Sequence, residues 1–400
     1  MSDLQNKHIV LGITGGIAAY KAAELCRLLQ AKGASVQVVM TKAACQFITP
    51  VTMQALSGKP VVISQWDERE HNVMAHINLT RDADMIVVAP ASADFMAQLA
   101  GGLAGELLAL LCLARPQECC PMLVAPAMNK EMWSHPATRR NVKQIAEDGA
   151  LVLEPACGEQ ACGEVGAGRM REPRDILAAV ITHFQPKLLQ GKKVLVTAGP
   201  TFEPLDPVRG ITNLSSGKMG FAVAKAAQQA GAEVILVAGP VALPTPLGVT
   251  RVNVQTAVQM LDAVQAQVAS RVDVFVATAA VADWRPAQVA EEKIKKTQDK
   301  TIPAVEWVEN PDILATIAAL PNPPYCVGFA AESHDLLKHA GEKRLRKKIP
   351  LIVGNIGPDT FGQDDNALLL IDEQGHQEMA RASKEKLAQQ LIAEVARRLK

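Results

Sequence analysis

The feature that most constrains this chain is a short apolar strand that runs through a glycine-rich turn into a helix, and it occurs twice. His8 to Ile13 is such a strand, Gly12, Thr14, Gly15 and Gly16 form the turn, and helical periodicity follows through Ala19, Ala22, Ala23, Cys26 and Leu29 to Gly33. Ser35 to Met40 reads as the next strand, which completes a β-loop-α-β unit of the parallel-sheet type. The pattern returns with a strand at Lys193 to Thr197, a loop rich in Gly, Pro, Asn and Ser at Ala198 to Ser216, a helix at Gly217 to Ala230 and a strand at Glu233 to Val237. Further strands are expected at Met85 to Ala89, Met122 to Ala125, Leu151 to Leu153, Val272 to Ala277, Tyr325 to Phe329, Leu351 to Val353 and Ala367 to Ile371. The expected fold class is α/β, with two Rossmann-like domains built on mainly parallel sheets. No periodic pattern claims HFQPKLLQGK, His183 to Lys192, so the boundary is placed near residue 190, giving domains 1–190 and 191–400.

Composition narrows the function. Lys plus Arg number 41 and Asp plus Glu number 41, so no global field recruits nucleic acid or an anionic membrane. Aromatic residues are 4% of the chain, which leaves few platforms for stacking bases. The eight cysteines include no CxxC pair, which disfavours both a zinc site and a disulfide framework and fits a reducing cytoplasm. MSDLQNKHIV lacks the charged and apolar regions of a signal peptide, and the apolar stretches Met85 to Ala89 and Leu107 to Ala114 are too short for a membrane span.

The first turn, GITGG, presents backbone N–H groups at the positive end of a helix and suits a phosphate. Gly12, Gly15 and Gly16 do not fit GxGxxG, and VVMTKAA after the second strand has no acidic residue to grip an adenosine ribose, which opposes NAD and an NAD-dependent dehydrogenase. A mononucleotide such as a flavin phosphate, held by Thr14, Gly15, Gly16, Thr41 and Ser92, fits the ends of such strands. A plain tight turn is the alternative. His76 lies in MAHINL after the polar Trp66 to Asn72 segment and reads as a candidate base or a satisfied core histidine. Asn129 in VAPAMNKEMW is a ligand-positioning residue or a helix N-cap. Cys162 lies in a glycine-rich flap, ACGEQACGEVGAGRM, as a proton donor or an unreactive loop thiol.

GITGGIAAYK, AHINL, APAMNKEMW and ACGEVGAGRM, in this order, resemble the phosphopantothenoylcysteine decarboxylase domain of the homo-oligomeric, flavin-containing cysteine decarboxylases. The resemblance implies a flavodoxin-like domain, FMN, His76 as base, Asn129 positioning the substrate and Cys162 as a late proton donor, with no role for Cys157. Loss of CO2 from a cysteine carboxylate leaves an electron pair at the α-carbon, and prior oxidation of the adjacent CH2–S group to a thioaldehyde lets sulfur accept that pair. His76 can assist deprotonation near neutral pH, and Cys162 can protonate the enethiolate as it is reduced.

In the second half, NLSSGKMG tempts a P-loop reading. Gly210 stands seven residues before Gly217 rather than five, and Met219 replaces the magnesium-binding Ser or Thr, so only a weaker anion site at a helix start survives. Lysines cluster in KIKK, at Lys293, Lys295 and Lys296, and in HAGEKRLRKK, where Lys343 and Lys347 share a helix face. These runs are triphosphate clamps or solvated faces.

AGPTFEPLDPVR, NLSSGKMG, AAVADWR, EKIKK, NPDIL and VGFAAE resemble phosphopantothenate–cysteine ligase, and together the two halves resemble the bifunctional proteins of bacterial coenzyme A biosynthesis. The resemblance implies CTP against Ala277, Thr278, Ala279, Asp283, Lys293, Pro311, Asp312, Ile313, Leu314, Phe329, Lys343 and Lys347. It also implies Arg209 and Asn213 on 4'-phosphopantothenate or its acyl-cytidylate, L-cysteine as amine, Mg2+ on the phosphates, and phosphopantothenoylcysteine as the intermediate passed to the first half. Lys293 is expected to neutralise charge at the reacting phosphate. A flavin-fold regulatory or binding subunit is the runner-up, and it predicts damage to the His76, Asn129 and Cys162 set.

Overall fold

The computed structural model describes residues 3–66, 74–295, 304–332, 334–356 and 363–399. Most of the Trp66 to Asn72 segment, and Lys296, lie outside the described residues. The chain divides into two compact units, Met1–Phe184 and Gln185–Lys400. The division falls before residue 190 because the connecting segment docks on the second unit. Leu189 is buried in that unit's core and its amide donates to Ala230 O at 2.8 Å.

In the first unit, β1 (His8–Ile13), β2 (Ser35–Met40), β3 (Met85–Ala91), β4 (Met122–Pro126) and β5 (Leu151–Val152) form a parallel sheet in the order β2-β1-β3-β4-β5. That is the flavodoxin-like order, with its reversal between β1 and β3. Both faces are covered, so the strands read as unbroken apolar runs. Alternate β1 residues divide between the two faces: Ile9, Leu11 and Ile13 enter one core, Val10 the other. The helix Lys21–Ala31 buries Ala22, Leu25, Cys26 and Leu29, an i, i+3, i+4, i+7 stripe, in the first of these cores. A sixth and seventh strand, β6 (Ala156–Glu159) and β7 (Val165–Arg169), pair as an antiparallel hairpin, so the glycine-rich flap has regular structure.

The second unit contains β8 (Lys193–Ala198), β9 (Phe202–Pro204), β10 (Gly210–Thr212), β11 (Glu233–Ala238), β12 (Val249–Asn253), β13 (Val274–Ala277), β14 (Trp284–Pro286), β15 (Trp307–Glu309), β16 (Tyr325–Glu332), β17 (Leu351–Ile356), β18 (Asp365–Asp372) and β19 (Gly375–Ser383). Its main sheet runs β12-β11-β8-β13-β16-β17-β18-β19, parallel through β17 and antiparallel beyond it. Numbered within the unit, the parallel part has the Rossmann order 3-2-1-4-5-6, which reverses between β8 and β13. The helices Lys218–Gln229 and Lys384–Arg398 share one core, and Ala257–Val268, Ile313–Ala318 and Leu336–Lys347 contribute to the other. A Cβ on Gly220 would lie 2.5 Å from the Ala198 Cβ, so only glycine lets the helix after the loop approach β8 this closely.

Candidate active sites

The carboxyl ends of β1, β2 and β3 form the first cradle. The Thr14 hydroxyl donates to Pro90 O at 2.8 Å and accepts from the Ser92 amide at 2.9 Å, which ties the turn after β1 to the end of β3. Thr41 Oγ1 accepts from the Ala44 amide at 3.1 Å and Ser92 Oγ from the Phe95 amide at 3.2 Å, so both hydroxyls also cap local backbone. A Cβ on Gly15 would lie 2.6 Å from that of Ala43, whereas one on Gly16 would meet nothing within 4 Å. Gly15 therefore permits close approach of two loops, and Gly16 borders open space at the start of the Ile17–Tyr20 turn. Backbone donors and small residues at a strand-order reversal suit a phosphate.

A cleft of about 580 Å³ adjoins this turn, lined by Gly16, Ile17, Tyr20 and Lys21, by Met128 and Asn129 after β4, and by Gln160, Cys162, Gly168 and Arg169 of the hairpin. Asn129 fulfils the N-cap expectation and also lines this cleft. Its Oδ1 accepts from the Glu131 amide at 2.8 Å and caps the helix Lys130–Ser134, while Nδ2 donates to Glu164 Oε2 and lies 3.5 Å from Cys162 Sγ. The exposed Cys162 thiol points at the same Glu164 oxygen, at 3.6 Å. The Asn129 hydrogen bond, helped by Lys130 and Cys162 against some desolvation, holds the Glu164 carboxyl below its ordinary range. Sequence reasoning passed over Glu164, although the motif containing Cys162 includes it.

The hairpin is fastened down on Asn129. Gln160 Oε1 accepts from the Lys130 amide at 3.1 Å, and the Met128 amide donates to Gly168 O at 2.9 Å. Gly168 has φ 145°, and a Cβ there would lie 2.4 Å from Met128 O and 2.7 Å from Gln160 Nε2. Gly168→Ala should therefore lift the hairpin from residues 128–130 at a cost of about 1–3 kcal/mol. Limited proteolysis should then cut within 156–169 while the sheet stays protected. An unchanged cleavage rate would mean that other contacts hold the hairpin.

His76 is placed elsewhere. It lies on the helix Ala75–Arg81, which packs against Leu107–Ala114, and it is not among the residues lining the Asn129 cleft. Its Nδ1 is buried and has no hydrogen-bond partner among the described residues. A satisfied core histidine would have one, so that alternative is not met among the described residues. Burial pushes the Cys26 and Cys112 thiols up to about 11 and about 12, which leaves them unreactive packing groups.

In the second unit a cleft of about 500 Å³ opens at the β8–β13 reversal. Ala277, Ala279, Asp283, Pro311, Asp312, Ile313, Leu314, Phe329, Lys343 and Lys347 line it, together with Thr197, Asn310 and Arg346, which sequence reasoning missed. Asp312 Oδ1 caps the helix Ile313–Ala318 through the Ala315 amide at 3.0 Å, and Lys347 Nζ reaches Asp312 Oδ2 at 2.7 Å. Burial opposes charge on Asp312, but Lys347, the Ala315 amide and Lys343 outweigh it and hold the carboxyl below its ordinary range. Lys343, Arg346 and Lys347 form a cationic wall on one helix.

Thr278 and Lys293 do not line this cleft. The Thr278 hydroxyl donates to Thr197 O and faces Gly220, toward the helix that packs on β8. Lys293 is exposed, just before Ile294, whose backbone joins the Arg209 turn: Arg209 Nη2 donates to Ile294 O at 2.6 Å. Asn213 Nδ2 donates to Ala280 O at 3.0 Å, beside the cleft residue Ala279. Lys218 pairs with Asp364 at 2.7 Å.

Residues 1–185 match the family model described as Flavoprotein, and residues 189–399 match that of the DNA/pantothenate metabolism flavoprotein C-terminal domain. The chain is 51% identical over 392 residues to the coenzyme A biosynthesis bifunctional protein CoaBC of Vibrio cholerae, with 97% of each chain covered. It is 48% identical over 403 residues to the protein of that name from Escherichia coli, with 99% of this chain and 98% of the other covered. A crystal structure of the C-terminal domain of a coenzyme A biosynthesis bifunctional protein CoaBC is 39% identical, with a TM-score of 0.46, and covers 53% of this chain and 98% of that one.

Proposed function

The chain belongs to the family of bifunctional coenzyme A biosynthesis proteins, and on that premise we propose that its two units catalyse successive steps. The second unit condenses 4'-phosphopantothenate with L-cysteine at the expense of CTP, and the first decarboxylates the resulting phosphopantothenoylcysteine to 4'-phosphopantetheine. The observation that carries this reading is that motifs far apart in sequence converge in each unit: Gly16, Asn129 and Cys162 on one cleft, Ala277, Pro311, Phe329 and Lys347 on another. An intact Asn129–Cys162 pair opposes the regulatory-subunit reading, which needs a damaged site.

A carboxylate is a poor electrophile until its oxygen becomes a leaving group. The phosphopantothenate carboxylate attacks the α-phosphate of CTP and expels pyrophosphate, and the cysteine amine then displaces CMP from the acyl-cytidylate. Lys343, Arg346 and Lys347 supply charge for the triphosphate, Lys293 neutralises the reacting phosphate, and Arg209 and Asn213 hold phosphopantothenate. Mg2+ enters with the nucleotide, since this ion is held largely by substrate phosphates and water. Among the described residues, the metal-ligand cluster found is His334, Asp335 and His339, whose ring nitrogens suit a softer ion.

In the first unit, Thr14, Gly15, Gly16, Thr41 and Ser92 would hold the FMN phosphate, and FMN when bound would supply two-electron chemistry. Asn129 orients the substrate through Nδ2, Cys162 donates a proton after CO2 has left, and the hairpin excludes water. His76 acts as base toward a site completed by a neighbouring copy, since it does not line the Asn129 cleft of its own chain, which is why a homo-oligomer belongs to this proposal. No described helix is long and apolar enough to cross a membrane. A cytoplasmic location is proposed with the function because Cys162 must stay reduced.

The test is the purified chain's visible spectrum together with the activities of fragments 1–184 and 185–400. Flavin bands are expected in the whole chain and the first fragment, with decarboxylation retained there and CTP-dependent ligation in the second. A colourless protein that rejects added FMN would overturn the first assignment. Two folded fragments without either activity would mean that the sites are shared between units.

A further inference from the structure

The turn between β9 and β10 is built around a buried carboxylate. Asp206 is 1% exposed. Its Oδ1 accepts from the Val208 and Arg209 amides, each at 2.8 Å. Its Oδ2 accepts from Arg209 Nε at 3.0 Å, Arg209 Nη2 at 2.6 Å and the Ile294 amide at 3.1 Å. Arg209 Nη2 also reaches Ile294 O at 2.6 Å, so the pair grips both the N–H and the C=O of one residue 85 positions away. The Ala290 amide donates to Leu205 O at 3.0 Å and docks the approach to that residue on the same turn.

A carboxylate taken out of water keeps its charge only if its lone pairs are filled. The tight turn needs only the Val208 and Arg209 amides; the remaining donors bind a guanidinium and a distant segment. The Arg209 side chain, helped by the backbone donors and opposed by desolvation, holds Asp206 well below the carboxylate range, so the clamp is charged near neutral pH.

We propose that Asp206 is a positioning residue for acyl-cytidylate formation: it fixes the Arg209 guanidinium and, through Ile294, the backbone that carries Lys293, as one unit. This rests on the reading of the second unit as a CTP-dependent ligase. Asp206 itself touches neither substrate nor nucleotide. Its contribution is to place two cations, one for each reactant, in a fixed relation, and a misplacement of about 1 Å in such a pair costs about 100-fold in rate.

The experiment is a double-mutant cycle on the full chain, reading pyrophosphate release from CTP plus phosphopantothenate. Asp206→Asn should lower that rate about 100-fold, move CTP affinity less than about threefold because the nucleotide cleft is separate, and leave decarboxylation of supplied phosphopantothenoylcysteine unchanged. In a Lys293→Gln background the same change should cost less than about tenfold, because its effect runs partly through Lys293. Losses that multiply in full, or an Asp206→Asn enzyme at the wild-type rate, would overturn the proposal. Amide exchange of the wild-type chain tests it without a variant: Ile294 should be protected well beyond Lys293 and Lys295, and equal exchange of all three would show that no clamp exists. A wild-type chain that releases no pyrophosphate from these substrates overturns the ligase reading instead.

Discussion

Lys293→Gln should abolish most ligase activity while leaving the first unit's chemistry untouched. An ammonium beside the reacting phosphate stabilises charge that develops only as the phosphorus–oxygen bonds change, and removal of such a donor typically costs about 100-fold to 1000-fold. Lys293 lies outside the lining of the cleft proposed for CTP, on an exposed segment whose next residue is clamped to the Asp206–Arg209 pair. Nucleotide affinity should therefore change little, because the cationic wall of Lys343, Arg346 and Lys347 remains. The readout is pyrophosphate release from CTP with phosphopantothenate, set beside FMN content and decarboxylation of supplied phosphopantothenoylcysteine. Lys295→Gln and Lys296→Gln are the controls, each expected near the wild-type rate. If one of them loses acyl-cytidylate formation while Lys293→Gln keeps it, the run is catalytic in a different register. Full activity in all three makes it a solvated face.

The parallel core of both units was legible because buried strands write themselves as apolar runs between glycine turns, and HIVLGI and KVLVTA do so without interruption. Beyond it, β18 was legible at Ala367 to Ile371, whereas the half-exposed parallel edge strand β12 and the antiparallel β19 were not. β19, GHQEMARAS, is almost wholly exposed at the sheet edge, so it has no apolar period to read. The hairpin β6–β7 has glycine at 158, 166 and 168 in its strands and packs on residues 128–130 through Gly166 and Gly168, which reads in sequence as flexibility. Most residues that the resemblance assigns to CTP line one cleft, while Arg346 and Thr197, which also line it, were hidden in a charge run and a strand end. Thr278 marks the opposite limit. It sits among cleft residues in sequence, yet a strand end turns neighbouring side chains to opposite faces, and Gly220 leaves room for its hydroxyl on the far one. Asp206 was inside a quoted motif, but only the fold shows that its carboxylate reaches residue 294.

Cys162→Ser should separate the two halves of the decarboxylase reaction. In the proposed sequence CO2 leaves before Cys162 is needed, so release of CO2 should persist, whereas the protonation that accompanies reduction requires an acid that a hydroxyl cannot match. General acid catalysis of this kind contributes about 100-fold to 10,000-fold. Saturated product should fall by that order, and the unsaturated aminoethenethiol should accumulate and be visible by mass spectrometry. The geometry makes the substitution a clean one, since serine at this place keeps a donor toward Glu164 Oε2 and leaves Asn129 capped on the Glu131 amide. The hairpin should stay down, and proteolysis within 156–169 should match the wild type. Normal product from Cys162→Ser would move the donor role elsewhere, first to Cys157, which is also exposed on β6. Loss of CO2 release as well would place the thiol earlier in the sequence of steps, in the deprotonation otherwise assigned to His76.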